Sequence, residues 1–130
     1  IALGIASGAT YVARGFSGDP THLTQLFAGA IAHRGFALID VFSPCVTFNK
    51  VNTYDWYKQR VYHVGPDHDP GDRKAAFAKA LEWGDRIPIG VIYRNNRPTF
   101  EERVPMIKDR PLVHQAFDVN KVEATLKEFS

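Results

Sequence analysis

TYVARGFSGDPTHLTQLFAGAIAHRGFALIDVF, residues 10–42, is the stretch that decides the fold. Asp19-Pro20 predicts a helix start, with aspartate as the N-cap and proline at the first helical position. The residues that follow recur at the spacing of one apolar helix stripe. That stripe consists of Leu23, Leu26, Phe27, Ala30 and Ile31. Cationic residues and then Gly35 end the helix, and the apolar run over residues 36–42 predicts a buried strand.

The elements around this helix predict a parallel α/β sheet with crossover helices. Residues 1–7 are typical of a helix that stops at Gly8, and residues 10–14 of a short strand. The order helix, strand, helix, strand is the rhythm of a parallel sheet. We therefore expect residues 10–14 and 36–42 to be neighbouring parallel strands.

The second half of the chain has a less regular pattern. Its predicted elements are a helix over residues 53–62, a helix that opens at Asp69-Pro70 and stops near Gly84, a strand over residues 87–94, an irregular segment over residues 99–117 and a terminal helix over residues 119–129. The helix after Asp69 is expected to direct Phe77, Ala80 and Leu81 inward. Pro88 predicts that the start of its strand lies at an edge or outside the ladder.

Composition and charge exclude several classes of protein. Sixteen basic and fourteen acidic residues give a net charge of +2, too balanced to indicate a nucleic-acid partner. No stretch approaches the roughly 20 apolar residues of a membrane span. The chain has one cysteine, which excludes an intrachain disulfide.

Three features suggest chemistry but have simpler interpretations. The five histidines carry no zinc motif at helical spacing and are interpreted as structural or surface residues, although each could act as an acid, base or ligand. The glycine-rich residues 15–18 lack a phosphate-binding pattern, and the acidic cap that follows favours a turn. The aromatic residues within 54–62 could stack on a flat ligand, but such groups more often pack a helix.

Cys45 is the most informative single residue. It follows the predicted strand 36–42 directly, and the carboxyl ends of parallel strands are where sites form. One interpretation is a buried, small apolar cysteine. A metal ligand and a nucleophile are the alternatives, although no neighbouring histidine or aspartate supports activation of a nucleophile.

Four stretches of the chain resemble the beta subunits of 2-oxoacid:ferredoxin oxidoreductases. They are ASGATYVARGF (6–16), HRGFALIDVFSPCVTFN (33–49), NTYDWYK (52–58) and EWGDRIPIGV (82–91). They stand in the family's order, and the resemblance covers residues 1–104. It implies that residues 1–130 are a single partial domain: residues 1–49 would be the C-terminal part of a thiamine diphosphate-binding core, and residues 50–130 an irregular helical C-terminal extension.

The resemblance also implies an activity and its cofactors. Such enzymes are cytoplasmic; they decarboxylate a 2-oxoacid on thiamine diphosphate and Mg²⁺, form an acyl-coenzyme A, and pass electrons through a 4Fe-4S cluster to ferredoxin. Cys45 matches the fourth cysteine ligand of that cluster. The implied partners are an alpha subunit, ferredoxin, coenzyme A, a 2-oxoacid and the N-terminal half of the beta subunit.

The diphosphate-binding G-D-G-D motif and three of the cluster cysteines do not occur in the chain. We therefore expect a fragment that binds no cofactor and is inactive by itself. Two other classes stay open. One is a thiamine diphosphate-dependent decarboxylase or synthase without a cluster; the other is a non-catalytic interaction domain that shares only the sheet.

Overall fold

The computed structural model describes residues 1–116 and 118–129. Its strands are β1 (Tyr11–Phe16), β2 (Ala37–Phe42), β3 (Val61–His63) and β4 (Ile87–Arg94). Its helices are α1 (Ala2–Ala6), α2 (Pro20–Ala32), α3 (Tyr54–Lys58), α4 (Arg73–Leu81), α5 (Phe100–Arg103), α6 (Pro105–Lys108) and α7 (Val119–Glu128), with a 3-10 turn at Leu112–His114. The described part of the irregular segment 99–117 thus contains short helices, and residue 117 lies outside the described residues.

The four strands form one mixed sheet in the order β2-β1-β4-β3. β1 and β2 are parallel with Tyr11 opposite Ala37, which confirms the predicted strand pair. β3 and β4 are also parallel, whereas β4 is antiparallel to β1. The prediction of an α/β fold with parallel strands and crossover helices is therefore confirmed, and the antiparallel β1–β4 pair is an addition to it.

β1 is buried on both sides because helices cover both faces of the sheet. Side chains of a strand alternate between faces, and Val12 packs in a cluster with Ile5 of α1 and Ala76 and Ala80 of α4. The neighbouring Tyr11 and Ala13 pack on the opposite face with Leu26 of α2. A fully buried isoleucine stabilises such a core by roughly 2 kcal/mol.

The helix-start and helix-stop signals of the first half are confirmed. Asp19 caps α2 by accepting a hydrogen bond from the His22 amide, and Pro20 is the first helical residue. Gly8 follows α1 with φ +90°, a conformation that glycine adopts without steric cost. Of the predicted α2 stripe, Leu26 is buried, but Phe27 and Ile31 are exposed.

Two expectations for the second half are wrong. The helix predicted over residues 53–62 stops at Lys58, and Val61–His63 pair with β4 as a strand. The helix predicted from Asp69 begins at Arg73, because Asp72 supplies the capping carboxylate. As a result Ala76 and Ala80 face the core, while Phe77 and Leu81 are exposed.

Pro88 is tolerated near the start of β4 because its missing amide is not required there. The amide of Ile87 donates to Arg60 O at 2.9 Å, and Ile89 O accepts from Val64 at 2.9 Å, so the residues on either side of Pro88 bond to the β3 side. The ladder with β1 reaches only Gly90. Pro88 therefore lies outside the β1 ladder, as the sequence predicts, but inside the pairing with β3.

The chain divides into two compact units, Ile1–Arg97 and a second unit that begins at Pro98. The first contains the whole sheet with α1 to α4. Among the described residues no helix is long and apolar enough to cross a membrane. The assignment of residues 1–130 to one partial domain with a boundary at residue 49 stays a prediction.

Candidate functional site

Cys45 lies in a short loop at the carboxyl end of β2. Residues 46–48 form a turn, and the Asn49 amide closes it by donating to Cys45 O at 3.0 Å. The Asn49 side chain accepts from the amides of Val51 and Asn52 at 3.0 and 2.9 Å. Lys50 Nζ donates to Val46 O at 2.8 Å. These local bonds hold the loop in one conformation, and its cysteine follows the strand as the sequence predicts.

The loop backbone surrounds the Cys45 sulfur with hydrogen-bond donors. Hydrogen bonds from the amides of Phe48 and Thr47, and to a smaller degree Asn49, lower the pKa of the Cys45 thiol. The thiol is exposed, and desolvation raises its pKa by less than the Phe48 and Thr47 amides lower it. A thiolate is the nucleophilic and metal-binding form of cysteine, and the loop therefore favours the reactive form.

An aromatic cluster packs at the carboxyl ends of β1 and β2, the strand that precedes the Cys45 loop. The Phe42 ring stacks on Tyr57 of α3 at 4.7 Å between centroids and meets Trp83 edge-on at 5.7 Å. Phe16 packs against Tyr54 at 5.7 Å and Tyr57 at 5.8 Å. Each such pair stabilises by about 0.5–1.5 kcal/mol beyond the area that it buries. These tyrosines thus pack a helix against the strand ends, which is the simpler of the two interpretations that the sequence allows.

Three large apolar side chains in or next to the Cys45 loop are exposed. Phe48, Val46 and Val51 are 88%, 71% and 75% exposed, and no described residue covers them. Single exposed apolar residues are ordinary, but a group around a thiol indicates an interaction surface. The loop therefore offers a sulfur ligand within an apolar rim.

The structure places four of the five histidines in two kinds of surroundings, and the fifth, His114, is exposed. His33 contacts the Thr10 hydroxyl at 2.8 Å, and His68 contacts Ile92 O at 2.8 Å, so both have structural bonds. His22 and His63, in contrast, stack on each other beside Asp19. No spacing in the sequence indicates this cluster, because His63 reaches it from another element of the sheet.

Fold and site together define an α/β domain that carries one exposed, thiolate-favouring cysteine at the end of a parallel strand. Comparison with known proteins narrows the class. A family model described as the C-terminal part of the pyruvate ferredoxin oxidoreductase beta subunit matches residues 45–109, which is half of the chain and begins at the cysteine. The chain belongs to this family.

Similar proteins agree with the assignment. The chain is 49% identical to 2-oxoacid:ferredoxin oxidoreductase subunit beta of a Sulfolobus species, over 80% of this chain and 38% of that protein. It is 40% identical to the Saccharolobus solfataricus protein of the same description, over 98% of this chain and 49% of that one. A solved structure, 2-oxoglutarate:ferredoxin oxidoreductase from Magnetococcus marinus with 2-oxoglutarate, coenzyme A and succinyl-CoA bound, is similar with a TM-score of 0.81 and 38% identity. That match covers 95% of this chain and 43% of the solved one.

The chain thus spans less than half the length of these relatives. The resemblance over residues 6–16, 33–49, 52–58 and 82–91 predicted this family correctly.

Proposed function

We propose that this chain is the C-terminal part of a 2-oxoacid:ferredoxin oxidoreductase beta subunit, and that Cys45 is the fourth thiolate ligand of its 4Fe-4S cluster. The complete enzyme would decarboxylate a 2-oxoacid oxidatively and join the acyl group to coenzyme A. The family assignment supports the enzyme class. The geometry of the Cys45 loop supports the role of the cysteine.

The Cys45 loop has the properties that a cluster ligand requires. Four thiolates must be held rigidly, and they can come from distant segments of a chain. The Asn49 bonds fix the loop, and three backbone amides favour the thiolate. Hydrogen bonds to cluster sulfurs also tune the reduction potential. This chain has no second cysteine, so the other three ligands would come from the N-terminal half of the subunit.

When bound, the cluster would carry electrons from the substrate to ferredoxin. The role of this chain would be to hold one thiolate ligand of the iron at a fixed position and to shield that ligand from water. Val46, Phe48 and Val51 form an apolar rim that would exclude water once another segment covers it. Solvent exposure and hydrogen bonds to the sulfurs are among the factors that set the reduction potential of such a cluster.

The described residues do not fit thiamine diphosphate and its Mg²⁺. Mg²⁺ is held by carboxylates, carbonyls and water, and the group of three potential ligands in this chain, Asp19, His22 and His63, contains two nitrogen donors. We therefore place the diphosphate site in the N-terminal half of the subunit, and propose that the chain alone neither binds the cofactor tightly nor turns over. Calorimetric titration with thiamine diphosphate and Mg²⁺ tests this, and saturable micromolar binding would contradict it.

The proposed partners follow from the enzyme class. They are the N-terminal half of the subunit, an alpha subunit, ferredoxin, coenzyme A and a 2-oxoacid, in the cytoplasm. Pyruvate and 2-oxoglutarate both agree with the relatives, since the family model names the first and the solved neighbour was obtained with the second. No feature of the described residues favours a cluster-free thiamine enzyme or a non-catalytic domain over this assignment.

Replacement of Cys45 by serine in the complete subunit tests the proposal. Serine keeps the shape of the loop but replaces a soft thiolate with a harder, weaker ligand. We expect loss of iron and of visible absorption, and failure to reduce ferredoxin, with thiamine diphosphate binding retained.

Thr47→Ala is the matched control, because it changes an exposed side chain of the same loop and keeps the backbone amide beside the sulfur. It should retain iron and activity. A Cys45→Ser variant with full iron content and normal ferredoxin reduction would refute the proposal.

A further inference from the structure

Three potential metal ligands meet where the N-terminus of α2 approaches β3. One ligand atom each of Asp19, His22 and His63 lies within 4.8 Å of the other two. His63 Nε2 is 2.9 Å from Asp19 Oδ2, and the imidazole rings of His22 and His63 stack with centroids 4.2 Å apart. The three residues come from two elements, so the sheet and not a local motif brings them together.

The carboxylate of this cluster is held in place by its role in the fold. Asp19 Oδ1 accepts the His22 amide at 3.1 Å as the N-cap of α2, which leaves Oδ2 directed at His63. The hydrogen bond that the His22 amide donates is the main cause that lowers the pKa of the Asp19 carboxyl. The carboxylate is thus ionised and positioned before any ion binds.

The two imidazoles provide nitrogen donors of different mobility. Nδ1 of His22 is buried and has no hydrogen-bond partner in the described part of the chain, an arrangement that costs stability unless something binds it. Burial, and then the neighbouring His63, lower the pKa of His22, which favours the neutral ring that a metal ligand requires. The His63 side chain is 59% exposed and can rotate.

The two cations that line a cavity with His63 have partners of their own. Lys79 and Arg86 line the same cavity as His63, which measures about 250 Å³. Lys79 Nζ pairs with Glu82 at 2.7 Å, and Arg86 lies over the Tyr62 ring at 4.6 Å. Their charges are therefore partly compensated by neighbours.

We propose that Asp19, His22 and His63 bind one divalent transition-metal ion of the Zn²⁺ type. Two imidazoles and one carboxylate suit such an ion and leave a fourth position open. The ion would take the place of the proton that joins His63 Nε2 to Asp19 Oδ2, and that proton would leave to solvent. Two nitrogens on a tetrahedral Zn²⁺ lie about 3.3 Å apart. The stacked His22 and His63 rings have centroids 4.2 Å apart and near-parallel planes, so the exposed His63 ring would have to rotate for both nitrogen lone pairs to point at one ion.

This site differs in position and chemistry from the proposed cluster ligand. It uses nitrogen and oxygen donors and does not involve Cys45, so it stands whether or not the proposed function holds. An ion there would join the start of α2 to the edge strand β3, and we therefore expect it to stabilise this part of the fold.

Titration of the metal-free 130-residue chain with Zn²⁺ by calorimetry tests the proposal. The background is Cys45→Ser, so that the exposed thiol cannot bind the metal. We expect one Zn²⁺ per chain and a rise in the thermal midpoint. Asp19→Asn, which can still cap the helix, and His63→Ala, which removes an exposed ring, should each weaken Zn²⁺ binding by about 100-fold or more.

His114→Ala is the matched control, because it removes an exposed histidine outside the cluster and should leave Zn²⁺ binding unchanged. Circular dichroism verifies that each variant is folded. Substitution with Co²⁺ gives a second measurement that does not depend on stability: the chain should show the visible bands of a four-coordinate nitrogen and oxygen site, and lose them in Asp19→Asn. Failure to bind Zn²⁺ saturably, or binding equally strong in folded Asp19→Asn and His63→Ala, would overturn the proposal.

Discussion

Replacing Asp40 by asparagine should destabilise the sheet, because the carboxylate is the ionic partner of a buried arginine. Arg14 of β1 lies opposite Asp40 of β2, and Nε and Oδ2 are 3.4 Å apart. The arginine side chain is only 7% exposed, whereas that of Asp40 is 42% exposed. Burial lowers the pKa of Arg14, and Asp40 offsets part of this effect.

The expected loss of unfolding free energy in Asp40→Asn follows from this geometry. Coulomb's law at 3.4 Å with an effective dielectric constant near 20 gives about 5 kcal/mol as an upper value. Solvent on the aspartate side screens the pair, so we discount this to about 2 kcal/mol. Arg14 Nη2 keeps its bond to Ala80 O at 3.2 Å, which prevents a larger loss.

Urea unfolding measures the effect. With an m-value of about 2 kcal/mol/M, the midpoint for Asp40→Asn should fall by about 1 M. A double-mutant cycle that combines Asp40→Asn with Arg14→Met should give a coupling energy between the two side chains of about 1–2 kcal/mol. Asp85→Asn, an exposed carboxylate, is the control and should stay within about 0.5 kcal/mol of the wild type. If Asp40→Asn behaves like that control and the coupling vanishes, the reasoning is refuted.

Two further predictions concern strain and pH. Gly90→Ala should lower the free energy of unfolding by about 3 kcal/mol, because Gly90 has φ +140° and a Cβ there would overlap the Val64 side chain. Gly84 also has a positive φ, but a Cβ there would meet open space, so Gly84→Ala is the control. An equal loss of stability in Gly84→Ala would show that the overlap with Val64 is unimportant. Burial lowers the pKa of His22 below the value near 6.5 of the unfolded chain. The contribution of the neutral His22 to the free energy of unfolding is therefore fully present above about pH 6.5. It falls as the pH drops below that value, because the unfolded chain binds the proton more readily. Urea midpoints at about pH 7.5 and about pH 5.5 without metal should differ less in His22→Gln than in the wild type, and an unchanged pH dependence would contradict this.

The first half of the fold could be predicted because its signals are local. Asp19 and Pro20 define the start of α2 through their own backbone chemistry, and the apolar run over residues 36–42 is long enough to indicate a strand. Cys45 stands out for the same reason, since its position after that strand is visible in the sequence.

What the sequence could not predict depends on contacts between distant segments. Val61–His63 is too short to show a strand pattern and becomes one by pairing with β4. Asp72 and not Asp69 caps α4. The sequence does not distinguish them, because two aspartates three residues apart give competing local signals. The antiparallel β1–β4 pair and the meeting of His63 with Asp19 likewise arise only once the sheet forms.

Alkylation of Cys45 in the complete subunit, before and after iron is chelated, tests cluster ligation most directly. A thiolate bound to iron cannot react with iodoacetamide, whereas the free thiol in this loop is exposed and has a lowered pKa. Mass spectrometry of the Cys45 peptide should therefore show no modification in the cluster-loaded subunit and nearly complete modification after chelation. Rapid alkylation of Cys45 while the iron content stays full would contradict the assignment of Cys45 as a cluster ligand.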